Sequence, residues 1–297
     1  LHDLAQDGRV LLSHHTLRRE VHARLPGLTE LRDLTWLDYS YPSDLADDGS
    51  AVFFAENGEG GGRGYAVYLR RTDGSPAVRL GEGAAQALSP DGRWALASVN
   101  YTSDAPQLTL LPTGVGEPRP LPRGGVNTQA ATFFPDGRRL LLAGSRAAGA
   151  TRTWVQDTEG GDPQPLTPEG TRFPLSARPI SPDGQAIMVR GPRAEHLLFR
   201  LRGGEPIAVP GLQAEDQPIR WSGDGRWLFA YRPGEMPARV DRVDPRSGRR
   251  ESWLAVRPPD PAGVMAITPV LLSADGRSCV FGYRRVLSDL YTVSGIR

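Results

Sequence analysis

Short apolar runs separated by turn residues extend along the whole chain. A typical unit has an apolar segment, an Asp-Gly pair, one polar residue and a second apolar run, as in Ala87–Pro90, Asp91-Gly92, Arg93 and Trp94–Ala97. Gly supplies the positive φ that a tight turn requires, and the Asp side chain can accept a hydrogen bond from the backbone that follows it. Each unit therefore predicts two antiparallel strands joined by a hairpin turn.

This unit recurs at a regular spacing. Seven Asp-Gly pairs have the same surroundings, at intervals of 41, 43, 45, 47, 41 and 51 residues, and their aspartates are Asp7, Asp48, Asp91, Asp136, Asp183, Asp224 and Asp275. A third apolar segment follows most of them, as in Gln107–Leu110 and Asp289–Thr292, and a short fourth often comes next. Four short strands in each repeat predict an all-β fold, a seven-bladed β-propeller of four-stranded antiparallel blades.

The repeat also predicts the domain organisation. We expect a single propeller domain over residues 1–297, with blades at about 1–40, 41–83, 84–125, 126–172, 173–214, 215–262 and 263–297. The last blade lacks its outer strand within this chain, so we expect the closing strand upstream of Leu1 and the chain to be a fragment of a longer protein. A monomer is expected unless the open blade edge pairs with another chain.

The amino-acid composition excludes several reaction types and ligand classes. The chain contains no Lys, which excludes a Schiff-base lysine and the lysine of a phosphate-binding loop. A net charge of +1 gives no general attraction to nucleic acid. Cys279 is the only cysteine, and its alternating neighbours predict a buried strand position. No apolar run is long enough to predict a membrane span, and the sequence favours neither a periplasmic nor a cytoplasmic bacterial location.

Three of the repeated phrases carry a family resemblance. The segments Leu88–Trp94, Ile180–Gly184 and Trp221–Trp227 share a Ser-x-Asp-Gly core. They resemble the WD40-like repeat of TolB-type β-propellers, and the resemblance recurs over nearly the whole chain. It implies the propeller fold, whereas function is left open because one fold hosts many functions.

A narrower resemblance lies near the start of the chain. Asp33–Asp38, Ala66–Arg70 and Thr72–Gly81 are similar to the C-terminal propeller regions of bacterial serine/threonine protein kinases and related regulators. This resemblance implies a ligand-sensing or protein-interaction propeller of a bacterial signalling protein, so we expect this chain not to be an enzyme. The alternative is the gating propeller of a prolyl-oligopeptidase-like peptidase, or a small hydrolase acting at the channel mouth.

No catalytic, metal or cofactor site is predicted. The turn aspartates belong to separate blades, so a role in the turns themselves is expected. Gly58–Gly64 resembles a phosphate loop but has no Lys and no helix-like segment after it. His14 and His15 are neighbours in a predicted strand and would point to opposite faces, which does not suit a zinc site. The chain has no Gly-x-Ser-x-Gly sequence typical of serine hydrolases.

Ligand binding is expected on the face opposite the Asp-Gly turns. With the strands of a blade named A to D from the axis outward, that face carries the B–C and D–A loops, and loops on a rigid scaffold often bind ligands. Arginines just after strand B favour a basic ring for an anionic ligand or acidic peptide, and local pairing with Glu and Asp is the alternative. The candidate residues are His14, His15, Glu56, Tyr101, Arg146, Arg190, Arg232 and Arg284. The expected partner is a protein or peptide, or a small anionic ligand, and not nucleic acid.

Overall fold

The strands are short and numerous, as the turn spacing predicts. A computed structural model of the protein describes residues 3–4, 9–62, 64–100, 106–146 and 149–294. In chain order, the first strands are β1 (Asp3–Leu4), β2 (Val10–Arg24), β3 (Arg32–Asp33), β4 (Ser40–Leu45), β5 (Ala51–Glu56), β6 (Ala66–Arg71), β7 (Val78–Glu82), β8 (Ala84–Leu88), β9 (Trp94–Val99), β10 (Gln107–Pro112), β11 (Arg119–Pro120) and β12 (Val126–Phe133). They are followed by β13 (Arg139–Arg146), β14 (Arg152–Asp157), β15 (Gly160–Pro165), β16 (Ala186–Arg190), β17 (His196–Arg200), β18 (Ile207–Ala208), β19 (Gln217–Trp221), β20 (Leu228–Tyr231), β21 (Ala238–Val243), β22 (Arg250–Val256), β23 (Val264–Leu272) and β24 (Cys279–Val293). One 3-10 turn, Gly58–Gly61, lies in the glycine-rich loop after β5.

Hydrogen bonding arranges these strands into six antiparallel sheets, which we call blades I to VI. Blade I is β4–β7, blade II is β8–β11, blade III is β12–β15, blade IV is β16–β18 and blade V is β19–β22. Blade VI combines β23 and β24 with β2 and β3, and β1 adds to the free edge of β2. The first strands of blades V, VI, I, II and III contact one another in that order around a central axis. The predicted all-β propeller architecture is confirmed.

The number of blades needs correction, because the described strands form six sheets where the turn count predicts seven. The predicted first and last blades are two halves of one sheet: β2 pairs with β24 over its whole length, from Val10 opposite Val293 to Arg24 opposite Cys279. Asp289–Thr292, predicted as a separate third strand, continues β24. The expectation of a closing strand upstream of Leu1 is therefore wrong, since β2 and β3 complete blade VI. The Asp7-Gly8 turn lies outside the described residues.

Six apolar clusters hold the ring together, one between each pair of neighbouring blades. The cluster between blades VI and I contains Val21, Leu34, Leu45 and Phe54, all almost completely buried. Burying a side chain of this size contributes about 1.5–3 kcal/mol. Cys279 belongs to the cluster between blades V and VI, and burial raises the pKa of its thiol to about 12. The sequence prediction of a buried strand cysteine is thus confirmed.

The paired strands β2 and β24 continue beyond the rest of blade VI. Pairing between β23 and β24 ends where Val264 faces Arg285. Beyond that point residues 10–17 and 286–293 continue as a ribbon of two strands, the terminal ribbon, and β1 adds to its end at Val10 and Leu11. It projects on the side of the B–C loops, because β24 is the B strand of its blade and β2 the C strand. Leu287, Leu290 and Tyr291 are exposed on it.

Side-chain hydrogen bonds hold the Asp-Gly turns. In blade II, the Ser89 hydroxyl donates to Asp91 Oδ1 (2.6 Å) and accepts from the backbone N–H of Trp94 (2.9 Å). Asp91 Oδ1 also accepts from the backbone N–H of Arg93 (3.0 Å). The same three bonds recur in the turns of blades IV, V and VI, and the serine hydroxyl is the main cause that lowers the pKa of each turn aspartate. These carboxylates stabilise the turns.

Two turn glycines provide a matched test of the turn geometry. Gly92 and Gly276 have nearly equal φ values, 68° and 69°, so alanine at either position costs about 1–2 kcal/mol in backbone strain. A Cβ at Gly92 would meet nothing within 4 Å, whereas one at Gly276 would lie 2.8 Å from Phe229 Cζ and 3.0 Å from Trp253 Nε1. We expect Gly276→Ala to lose about 1–3 kcal/mol more than Gly92→Ala in urea unfolding. Equal losses would contradict this description of the turns.

Candidate functional site

A cavity of about 290 Å³ opens on the face of the Asp-Gly turns. Its wall contains the residue immediately before the turn aspartate of each blade: Asp47, Pro90, Pro135, Pro182, Gly223 and Ala274. Because all six blades contribute the same position, the cavity lies at the mouth of the central channel. Arg178 and Arg220 also line it, and they bring charge to a wall of mostly small and apolar residues.

Arg178 crosses the channel. It precedes β16 in blade IV, and its guanidinium forms a two-pronged ion pair with Asp44 of β4 in blade I, with Nε–Oδ1 and Nη2–Oδ2 distances of 2.8 Å. Its Nη1 donates to Asp47 Oδ1 at 2.8 Å, and Arg220 of β19 donates to the same oxygen at 2.8 Å. Asp44, Asp47, Arg178 and Arg220 form what we call the axial cluster. It ties blade I to blade IV, which lies opposite in a ring of six, and to blade V.

The charges of the axial cluster balance within a largely buried setting. Side-chain exposure is 7% for Asp44, 10% for Arg220 and 18% for Arg178, whereas Asp47 at the mouth of the cavity is 43% exposed. Burial alone would raise the pKa of Asp47, but Arg178 and Arg220 hold that pKa below its usual range. Burial and the neighbouring Arg178 lower the pKa of Arg220. Since buried charges are stable only when paired, Asp44, Arg178 and Arg220 depend on their partners in the cluster.

Sequence reasoning missed the axial cluster, although one signal was present. Asp44 and Arg220 stand four residues before their turn aspartates, at an inner-strand position where other blades carry Ala87, Thr132 or Leu271. A charged residue at a position that is otherwise small or apolar indicates a partner across the channel. That the partner of Asp44 is Arg178, from the opposite blade, follows only from the folded ring.

Two of the predicted arginines, Arg190 and Arg232, lie near one another on the face opposite the turns, beside Asp216. Arg232 Nε pairs with Asp216 Oδ1 at 3.0 Å, and Arg250 Nη1 pairs with Asp216 Oδ2 at 2.6 Å. The Asp216 side chain is fully buried. Burial alone would raise the pKa of Asp216, and its pairing with Arg250 keeps that pKa below its usual range. Arg190 and Asp216 line one cavity between blades IV and V.

The other two arginines of the predicted ring lie elsewhere. Arg146 is turned toward its own blade, where it stacks on Trp154, with the guanidinium carbon 4.7 Å from the ring centroid, and donates to the Gly124 carbonyl at 2.9 Å. Arg284 is exposed on β24, opposite Arg19. Arg146 and Arg232 are thus engaged locally. A basic ring that binds an anion stays a prediction.

Glu56 is buried at the end of β5. One carboxylate oxygen accepts hydrogen bonds from the backbone N–H of Leu37 (3.2 Å) and from the Ser40 hydroxyl, so this side chain braces the connection between blades VI and I. Burial raises the pKa of the Glu56 carboxyl. Its second oxygen, Oε2, is buried and has no hydrogen-bond partner among the described residues.

The predicted histidines lie on the terminal ribbon. His14 and His15 are both exposed and are neighbours in β2. His15 hydrogen bonds to the hydroxyls of Ser13 (2.9 Å) and Ser288 (2.7 Å). Tyr101 lies outside the described residues.

Residues 3–4, 9–62, 64–100, 106–146 and 149–294 hold no group of three or more His, Cys, Asp or Glu side chains placed to bind a metal ion. In the same ranges, no helix has the length and apolar character needed to cross a bilayer.

Comparison with known sequences gives one curated relative. It is named uncharacterized peptidase YuxL, from Bacillus subtilis (strain 168), and is 27% identical over 164 residues. The match covers 54% of this chain, and the chain spans 24% of the relative's length. No protein-family model matches the chain. The expectation that the protein is not an enzyme is therefore corrected, because the matched relative is named a peptidase.

Solved structures agree on the fold. A TolB-like protein from Agrobacterium tumefaciens aligns with a TM-score of 0.63 and 18% identity, covering 91% of this chain and 99% of that one. A puromycin-hydrolyzing peptidase from Mycobacterium tuberculosis aligns with a TM-score of 0.55 and 18% identity, covering 81% of this chain and 42% of that one. At such identities these matches show architecture alone. The chain has the TolB-type β-propeller fold.

Proposed function

We propose that this chain is the propeller through which a peptidase admits its peptide substrates. The observation that carries the proposal is the 27% identity to a protein named as a peptidase, over 164 residues. This function corresponds to the alternative predicted from the sequence, the gating propeller of a prolyl-oligopeptidase-like peptidase. The peptidase among the solved structures of similar fold is consistent with it.

The closed channel suits a filtering role. Arg178 spans the axis to Asp44, and Asp47 and Arg220 fill the same level of the channel. A folded protein cannot pass a channel bridged in this way, whereas we expect a short peptide to pass once the ion pair of Arg178 with Asp44 opens. The chain's part in the reaction is therefore selection of substrates by size.

Peptide hydrolysis by the full-length protein tests this function. We expect cleavage of short peptides from a fluorogenic library. We expect no cleavage of folded proteins that contain the same peptide sequences. The Arg178→Met variant removes the axial bridge, so we expect it to accept longer peptides, and the exposed Arg239 provides the matched control variant Arg239→Met. Failure of the full-length protein to cleave any peptide of the library would contradict the proposal.

The role in a signalling protein related to serine/threonine kinases stays a prediction. Binding of a protein or peptide fits both functions, since a peptidase propeller meets peptides as substrates. The terminal ribbon, with Leu290 and Tyr291 exposed, is the described surface that best suits a protein partner.

A further inference from the structure

Blade IV differs from the other blades at its inner edge. Its sheet has three strands, and residues 171–181, which precede β16, make only isolated bridges: Arg172 with Arg190, Ile180 with Ile187, and Arg178 with Arg220 of blade V. Pro174 and Pro179 fall in this segment, and proline cannot donate to a strand ladder. A cavity of about 120 Å³ lies here, between blades IV and V, on the face opposite the Asp-Gly turns.

The cavity has an apolar wall and a cationic group. Its apolar lining consists of Pro174, Ala177, Pro179, Met188, Val189, Pro218 and Pro233. Arg172 and Arg190 also line it, together with His196, Glu215, Asp216 and Gln217. An apolar slot with a few polar groups is the usual composition of a small-molecule site.

Arg190 has hydrogen-bonding capacity left over. Its Nη2 donates to the Ala214 carbonyl, but its Nε is buried and has no partner among the described residues. Two more such atoms, Ser176 Oγ and Glu195 Oε2, belong to residues next to the lining. Of the eight buried side-chain atoms without a partner in the described part of the chain, three therefore lie at this cavity. Buried polar groups are normally hydrogen-bonded, so this clustering points to a site where a ligand binds.

Backbone strain gathers at the same place. Three non-glycine residues in the described part of the chain have positive φ, and two of them are Ser176 (64°) and Ala194 (66°). Ser176 lies between the lining residues Pro174 and Ala177, and Ala194 lies in the loop just before the lining residue His196. Strained non-glycine residues concentrate at functional sites.

The charges around the cavity decide the kind of ligand. Asp216 is already satisfied by Arg232 and Arg250. His196 Nε2 donates to the Gln213 carbonyl at 3.0 Å, and burial lowers the pKa of this imidazole, so it is neutral at pH 7. Arg172 is exposed and makes no ion pair among the described residues, and Glu215 is an exposed lining residue. The cations on the cavity lining are thus Arg172 and Arg190, and the carboxylates not held in an ion pair in the described part of the chain are Glu215 on the lining and Glu195 next to it.

We propose that this cavity binds the free carboxylate of an apolar amino-acid residue, such as the C-terminal residue of a short peptide. Arg190 and Arg172 receive the carboxylate, because guanidinium groups pair with carboxylates in a fixed, two-pronged geometry. The proline, Met188 and Val189 wall receives the apolar side chain. This proposal concerns binding alone and does not depend on the peptidase function.

Calorimetric titration of the chain with N-acetyl-leucine tests the proposal, with N-acetyl-leucinamide as the matched ligand that lacks the carboxylate. We expect the acid to bind and the amide not to bind. Arg190→Gln and Arg172→Gln should each weaken binding of the acid by about tenfold or more, the fold-change of a lost charge-assisted hydrogen bond. Arg239→Gln, which removes an exposed arginine outside the cavity lining, should leave the affinity unchanged.

The thermal unfolding midpoint of each variant shows whether it is folded. Arg172→Gln breaks no ion pair among the described residues, so it remains informative if Arg190→Gln unfolds. Binding of the amide as tightly as the acid would overturn the proposal. Unchanged affinity in folded Arg172→Gln and Arg190→Gln, or no binding of the acid by the wild type, would overturn it as well. Because no hydrolysis is measured, these results are separate from the test of peptidase function.

Discussion

A chain that lacks residues 1–33 is expected to lose its cooperative unfolding transition and to aggregate. The deletion removes β2 and β3, the third and fourth strands of blade VI. It leaves the whole length of β24 as an unpaired edge, which is a template for pairing with other chains. It also removes the buried Val21 and Ala23 from the cluster between blades VI and I. Because a domain is stable by only about 5–15 kcal/mol, the loss of a strand pair and part of a core exceeds what the ring can tolerate.

A shorter deletion is the matched control. Removing residues 1–9 leaves β2 intact. It takes away β1, the one described strand in this range, which pairs with β2 at Val10 and Leu11. We expect this variant to keep the wild-type urea midpoint and to run as a monomer in size-exclusion chromatography. A monomeric, cooperatively unfolding protein after removal of residues 1–33 would show that blade VI does not close the ring.

Replacing Arg178 by Met is expected to destabilise the fold by about 3–5 kcal/mol, the typical cost of leaving one charge of a buried pair alone. Asp44 would stay buried without a charged partner, keeping only hydrogen bonds from the backbone N–H groups of Leu45 and Leu88, and Asp47 would keep Arg220. Methionine retains much of the apolar stem, so the lost charge dominates the effect. Urea unfolding at pH 7 measures it, and the exposed Arg239→Met should change stability by less than about 0.5 kcal/mol.

The same variant should respond differently to acid. The pKa of Asp47 is lower in the folded protein than its usual value near 4. Its contribution to stability is therefore complete above about pH 4 and is lost as the pH falls through the lower folded value. In Arg178→Met this pKa lies closer to its usual value, so the decline in stability below pH 4 should be shallower than in the wild type. Parallel declines would show that Arg178 does not set the pKa of Asp47.

The repeat unit predicted the fold because each turn has a local cause. Ser89, Asp91 and Gly92 act within a few residues of one another, so their spacing in the sequence is also their spacing in space. Such local rules count hairpins well. They do not show that β2 and β24, at opposite ends of the chain, belong to one sheet, and that long-range pairing accounts for the difference between seven predicted and six observed blades.

The candidate sites were harder to predict from the sequence, because they too depend on contacts between residues that are far apart in the chain. Arg190 was selected because it follows a B strand, and the structure places it in a cavity. Its unpartnered Nε arises from the irregular segment 171–181, which no spacing rule predicts. Arg178 and Asp44 are separated by 134 residues in sequence, so their pairing required the closed ring.

The pairing of Val10 with Val293 at the end of the terminal ribbon has a mechanical consequence. A force that pulls these two residues apart acts across the ladder and perpendicular to its strands. It therefore breaks the hydrogen bonds one pair at a time, like a zipper, instead of loading them all at once. Tension applied at these two residues would first separate the strands of the ribbon. It would act on the ring only after the ladder had opened as far as Arg18 and Arg285.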